Sequence, residues 1–139
     1  MQRVVVATDR SKTAERAVAW AGELAGRYEA ELVLLQVIPA NGDVDVADAE
    51  ASLRELAREL AGDRGRATVR VHADPPQAIV DVAEDERADV LVVGNAGMSG
   101  RKEFLLGNVP NRISHNARCT VVIVNTAEEP RGRLPWRRK

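Results

Sequence analysis

Between Gly94 and Gly107 the chain sets two more glycines, Gly97 and Gly100, and two cations, Arg101 and Lys102, with Ser99 and Asn108 close by. Those residue types suit an anion. Glycine lets backbone N–H groups converge on a phosphate with no Cβ in the way. Gly107 stands just before a helix-like stretch, where free N–H groups and the helix dipole favour negative charge. The same glycines would equally serve to turn a long connection. The spacing never makes the G-x-x-x-x-G-K-[ST] of a P-loop. The first strand–helix turn, "TDRSK", holds no glycine, so it carries no dinucleotide fingerprint. Asp9 stands there instead. Its carboxylate can accept a hydrogen bond from a base or ribose, or it can cap the helix that follows.

Residues for covalent or acid–base chemistry are sparse. His72 is expected on the exposed face of an edge strand and His115 on a short late helix, neither with a carboxylate or nucleophile partner nearby in sequence. Ser11, Ser99 and Ser114 lack a nucleophile-elbow context. Cys119 opens an apolar strand and reads as a small core residue. The acidic run Asp43, Asp45, Asp48, Glu50 lacks the spacing and central glycine of an EF-hand and reads as a solvated loop.

The elements that must position the glycine loop are legible in the hydrophobic pattern. Residues 3–9, 30–39 and 88–94 are continuous apolar runs, as in strands buried on both faces, and 119–124 is a further apolar strand. Residues 67–73 alternate, Val69 and Val71 against Arg70 and His72, the pattern of an edge strand. Ala14, Ala17, Val18, Ala21, Leu24 and Ala25 recur at helical spacing, with Ser11 as a cap. Leu53, Leu56, Ala57 and Leu60 form the face of a second helix. Asp74-Pro75 caps a third, with Ile79, Val82 and Ala83 facing inward, and a short fourth helix spans about 109–117. Strands alternating with helices predict an α/β three-layer sandwich. A five-stranded parallel sheet of order 3-2-1-4-5 carries helices on both faces. That order reverses between the first and fourth strands, so a ligand is expected beyond their carboxyl ends, at residues 7–11 and 92–97.

Whole-chain properties narrow the class. The 139 residues are the size of one domain, and 45% hydrophobic content supports a compact core. One cysteine excludes a disulfide framework and a Cys-cluster metal site, and fits a reducing compartment. No apolar run approaches the roughly 20 residues of a membrane span. The chain enters a strand directly, without signal-peptide organisation. A cytoplasmic location is the expectation. The last nine residues carry five cations and no acid, so the rest of a chain with net charge −1 carries −6. That acidic body argues against broad nucleic-acid binding. Residues 127–139 read as a basic, flexible tail that follows a domain of residues 1–126, its partner undefined.

Taken together, these pieces match a family. Gly94-x2-Gly97-x9-Gly107 resembles the nucleotide-binding signature G-x2-G-x9-G-[ST] of universal stress proteins. "VVVATDRS" resembles that family's first strand with its aspartate, and "VPNRISHNARCTVVIV" its last helix and strand. The resemblance implies an adenine nucleotide alpha hydrolase-like fold that binds ATP. Ala7, Thr8, Asp9 and Val37 would surround the adenine. Gly94 and Gly97 would approach ribose and phosphates, while Gly107, Asn108 and Val109 would hold the phosphates. Met98 and Arg101 would complete the cofactor-binding set. Magnesium would be held by phosphates and water, with no protein metal cluster. Arg10 stands where the family often has glycine, and Asn108 replaces the usual serine or threonine while keeping an amide donor.

The resemblance also implies a homodimer through the last strand, Thr120–Val124, an apolar edge that invites pairing. The function expected is a nucleotide-dependent regulatory module for stress response, in which ATP orders the Gly94–Gly107 loop and changes the surface shown to a protein partner still to be identified. A slow ATPase, a cyclic-AMP-binding member and a nucleotide-independent dimeric interaction module are the alternatives. No general base is placed by the sequence, so chemistry extends at most to slow ATP hydrolysis.

Overall fold

A computed structural model describes residues 1–40, 42–95 and 109–125. Along the chain run β1 (Arg3–Thr8), α1 (Ala14–Tyr28), β2 (Glu31–Ile38), α2 (Val46–Ala61), a 3-10 turn (Gly62–Arg64), β3 (Gly65–Val71), α3 (Pro75–Asp85), β4 (Val90–Gly94), α4 (Val109–Asn116) and β5 (Thr120–Val124). The five strands form one sheet of order β3-β2-β1-β4-β5, every neighbouring pair parallel. The expected order and class therefore hold.

The reason lies in which strands are apolar on both sides. Val4 to Ala7, Leu32 to Leu35 and Val90 to Val93 are buried without interruption, because helices cover both of their faces. Alternation splits those side chains into two cores. Val4, Val6, Leu32, Leu34 and Val92 pack with Ala17, Val18 and Ala21 of α1 and with Leu53 and Ala57 of α2. Val5, Ala7, Val33, Leu35, Leu91 and Val93 pack with Ile79, Val82 and Ala83 of α3 and with Ile113 of α4. At the start of β3 the strand backbone comes close to α2. A Cβ added to Gly65 would lie 2.1 Å from the Ala57 carbonyl oxygen, so only glycine fits where the strand begins.

Several local expectations need correction. Strand β3 covers Gly65–Val71, not 67–73. Val71 is 51% exposed rather than inward-facing, at the open end of an edge strand. His72 lies past the strand, half-buried, with Nδ1 accepting from the Asp74 N–H at 2.8 Å. Leu60 is 37% exposed, where the second helix was expected to face inward, though its side chain borders Gly22 of α1. At the start of α1 the expected cap holds in substance: the Ser11 hydroxyl accepts from the Ala14 N–H at 3.2 Å, although the N-cap position itself belongs to Thr13, whose side chain makes no capping bond. Asp74 does occupy the N-cap position of α3, ahead of Pro75, but its carboxylate is turned to Arg112.

Candidate functional site

At the carboxyl end of the sheet β1 and β4 lie side by side, with Val6 paired to Val92. The helix after β1 packs on one face and the helix that precedes β5 on the other. In open α/β sheets, ligands bind beyond the carboxyl ends of the strands where the strand order reverses, as it does between β1 and β4. The last paired position of β1 and β2 is Thr8 with Gln36, so Asp9 and Val37 are the next residues out. Ala7 and Thr8 are buried, Val37 is half-buried against the second core, and Gly94 ends β4 opposite Val124. Five sequence candidates thus lie at the carboxyl ends of neighbouring strands: Ala7, Thr8, Asp9, Val37 and Gly94. Val109 opens α4, the short helix expected there. Gly97, Met98, Arg101, Gly107 and Asn108 lie outside the described residues.

The β1–α1 turn is built by its own side chains. The Asp9 carboxylate accepts the Ser11 N–H at 2.9 Å, the local turn-forming bond open to a short acidic side chain. The Thr8 hydroxyl accepts the Arg10 N–H at 2.9 Å. Arg10 itself sits at φ 67°, the left-handed region that favours glycine. This is the physical reason a glycine suits the position. The Arg10 guanidinium donates to Ser52 Oγ at 3.0 Å and ties the turn to α2.

Helix α4 is fixed from two sides. Ile113 is fully buried against the second core. Arg112 donates to both carboxylate oxygens of Asp74, at 3.0 and 2.8 Å. The Arg112 guanidinium holds the Asp74 carboxyl below the usual carboxylate range, with His72 adding a smaller pull the same way. Sequence patterning missed this pair, whose members stand 38 positions apart. It also missed Gln36, although a polar residue inside the apolar run "LVLLQVI" was a visible signal. The Gln36 Oε1 atom is buried and has no hydrogen-bond partner among the described residues.

Other candidates for chemistry do not join this site. Cys119 lines a cleft of about 170 Å³ with Val80, Ala83 and Ala88, at the start of β5, and burial pushes its thiol pKa up, away from a nucleophile. His115 Nδ1 lies 3.1 Å from the Asn111 carbonyl oxygen, within its own helix. Among the described residues no helix is long and apolar enough to cross a membrane, and no group of three or more His, Cys, Asp or Glu is arranged to hold a metal ion.

The sequence model of the universal stress protein family matches residues 1–125. This chain belongs to the universal stress protein family. A universal stress protein of Mycobacterium tuberculosis (strain H37Rv) is 34% identical over 139 residues, covering 88% of this chain and 95% of that relative. Among solved structures, a universal stress protein in complex with cAMP is 32% identical, with a TM-score of 0.69, covering 91% of this chain and 98% of the other. A universal stress protein from Archaeoglobus fulgidus in complex with dAMP is 25% identical, with a TM-score of 0.65, covering 90% of this chain and 98% of the other.

Proposed function

We propose that this universal stress protein is an adenine-nucleotide-binding regulatory module of the cytoplasm, working in stress response, whose bound nucleotide alters the surface offered to a protein partner. The observation that carries this reading is the reversal of strand order between β1 and β4, with Thr8, Asp9, Val37 and Gly94 at the carboxyl ends of neighbouring strands. The structures of one similar protein of the family in complex with cAMP and of another in complex with dAMP support an adenine nucleotide as the ligand class. Ala7, Thr8, Asp9 and Val37 take the adenine. Gly94, Gly97, Met98 and Arg101 approach ribose and phosphates, and Gly107, Asn108 and Val109 hold the phosphate end at the start of α4.

ATP is the ligand proposed, with magnesium carried by its phosphates and water. The Asp9 carboxylate faces the task of binding the ligand while also holding the Ser11 N–H. Nothing at the described strand ends is placed as a general base, so binding rather than turnover is the proposed activity. Isothermal titration of nucleotide-stripped protein with ATP, dAMP and cAMP tests the reading. Saturable heat with at least one of them, lost in Gly94→Val, is the expected result. No heat with any of the three contradicts it.

A second copy of the chain is the proposed partner at β5. Its Ile123 is 44% exposed, on a strand that ends the sheet among the described residues, and an apolar edge of this kind invites pairing. A two-fold pairing of identical edges covers it.

A further inference from the structure

The groove between α2 and β3 stays apolar past the end of the core. Its two walls are level at Gly65, whose backbone comes up against the Ala57 carbonyl. From Gly65 to Val71 the strand rises about 20 Å, at about 3.3 Å per residue. From Ala57 back to Val46 the helix rises about 17 Å, at about 1.5 Å per residue. Val71 therefore stands level with the start of α2. It shares the strand face of Ala67 and Val69, which pack on the first core. Val46 stands two helical turns before the buried Leu53, on the same stripe. Both valines continue a packed face, yet Val71 is 51% exposed and Val46 40%, and Val44, just before the N-cap, is 48% exposed. Asp43, Asp45 and Asp48 are exposed beside them, and none joins an ion pair among the described residues.

The chain carries a segment of matching chemistry. Strand β5 ends at Val124, at the same carboxyl end of the sheet, and residues 126–139 follow outside the described residues. The last nine set Leu134 and Trp136 among five cations. From β5 to β3 the sheet is four strand spacings wide, about 19 Å at about 4.8 Å each. The stretch from Thr126 to Leu134 extends to about 30 Å, which is enough to cross. We propose that the C-terminal segment docks on its own chain: Leu134 and Trp136 cover Val44, Val46 and Val71, and the cations around them face Asp43, Asp45 and Asp48. Burial of apolar surface holds the contact, and opposite charge sets its position. A short tether gives an effective concentration of about millimolar, so a chain's own segment outcompetes that of a second copy. The contact does not depend on nucleotide binding.

Trp20→Phe leaves Trp136 as the only tryptophan of the full chain. Its emission and its quenching by acrylamide are compared with those of a synthetic peptide of residues 126–139. The expected result is a blue-shifted maximum and a smaller quenching constant in the protein, both unchanged on dilution. Val71→Lys and Val44→Lys, added singly, should return both readings to those of the peptide, with circular dichroism showing the fold intact. Lysine is well tolerated on an edge strand, and Val44 precedes its helix, so the second variant serves if the first does not fold. Readings equal to the peptide's in the Trp20→Phe protein overturn the docking. Protection that survives both lysine variants overturns this surface as its site. Protection lost on dilution assigns the segment to a second copy and overturns the contact within one chain.

Discussion

Arg112 of α4 grips Asp74, at the start of α3, through two parallel hydrogen bonds of 3.0 and 2.8 Å. The pair ties the short helix that follows the glycine loop to the turn after the edge strand. A bidentate arginine–carboxylate contact fixes direction as well as distance. The folded-state pKa of Asp74 lies below its unfolded value, chiefly because of the Arg112 hydrogen bonds. Its contribution to stability is therefore present above the unfolded carboxylate range and is lost as pH falls through the folded pKa. Arg112→Met should melt lower than wild type at neutral pH, and the gap should shrink as the solution is acidified below the carboxylate range. Thermal melts of both proteins across a pH series check this, and a gap that does not change with pH would count against the pairing.

Two glycines should respond to alanine in opposite directions. A Cβ at Gly65 would meet the Ala57 carbonyl oxygen at 2.1 Å, which neither backbone can avoid without moving. Gly65→Ala should cost about 3 kcal/mol, the upper end of the usual cost of overpacking. Gly26 lies inside α1 with nothing within 4 Å of an added Cβ. There Gly26→Ala should stabilise by about 0.5–1 kcal/mol through helix propensity. Urea denaturation of the two variants measures both, and equal effects would show that β3 does not meet α2 as described.

Arg10 is held at φ 67° beside its bonds to Thr8 and Ser52. A β-branched residue tolerates that region badly, whereas glycine adopts it freely. Arg10→Val should destabilise by about 1–2 kcal/mol. Arg10→Gly should leave stability within about 0.5 kcal/mol of wild type, because an exposed arginine–serine bond is weak and the backbone strain is relieved. Chemical denaturation of the three proteins orders them. A valine variant as stable as wild type would contradict the left-handed turn.

The central sheet was legible because its code is simple. Strands β1, β2 and β4 are apolar on both faces, and only a position between two helical layers explains that pattern. The strand order, with its reversal between β1 and β4, then followed from the pattern of alternating elements. What patterning missed depends on distance and direction. Arg112 meets Asp74 across 38 positions, which no periodicity announces. Val71 and Leu60 fit the apolar repeats but lie at an open edge and a partly uncovered helix flank, so the repeat mistook them for core. Arg10 was recognised as a departure from glycine, and its positive φ now gives that departure a physical meaning.

The proposed pairing of β5 edges places Ile123 of two copies in one interface. Ile123→Lys puts a charge on an exposed position of that edge, the usual block to strand pairing. Analytical ultracentrifugation should find wild type as a dimer and the variant as a monomer, with thermal stability of the monomer fold otherwise preserved. A wild type that sediments as a monomer would remove the second copy as partner.

The most direct test of nucleotide binding is a thermal-shift titration of stripped protein with Mg-ATP, ADP, AMP, cyclic AMP and GTP, run in parallel on Gly107→Val. A ligand at about 100 times its Kd adds roughly 2.7 kcal/mol to the stability of the folded state. The expected result is a rise in melting temperature with an adenine nucleotide, little or none with GTP, and loss of the rise in Gly107→Val. No shift with any adenine nucleotide would contradict the assignment of the β1 and β4 strand ends as a nucleotide site.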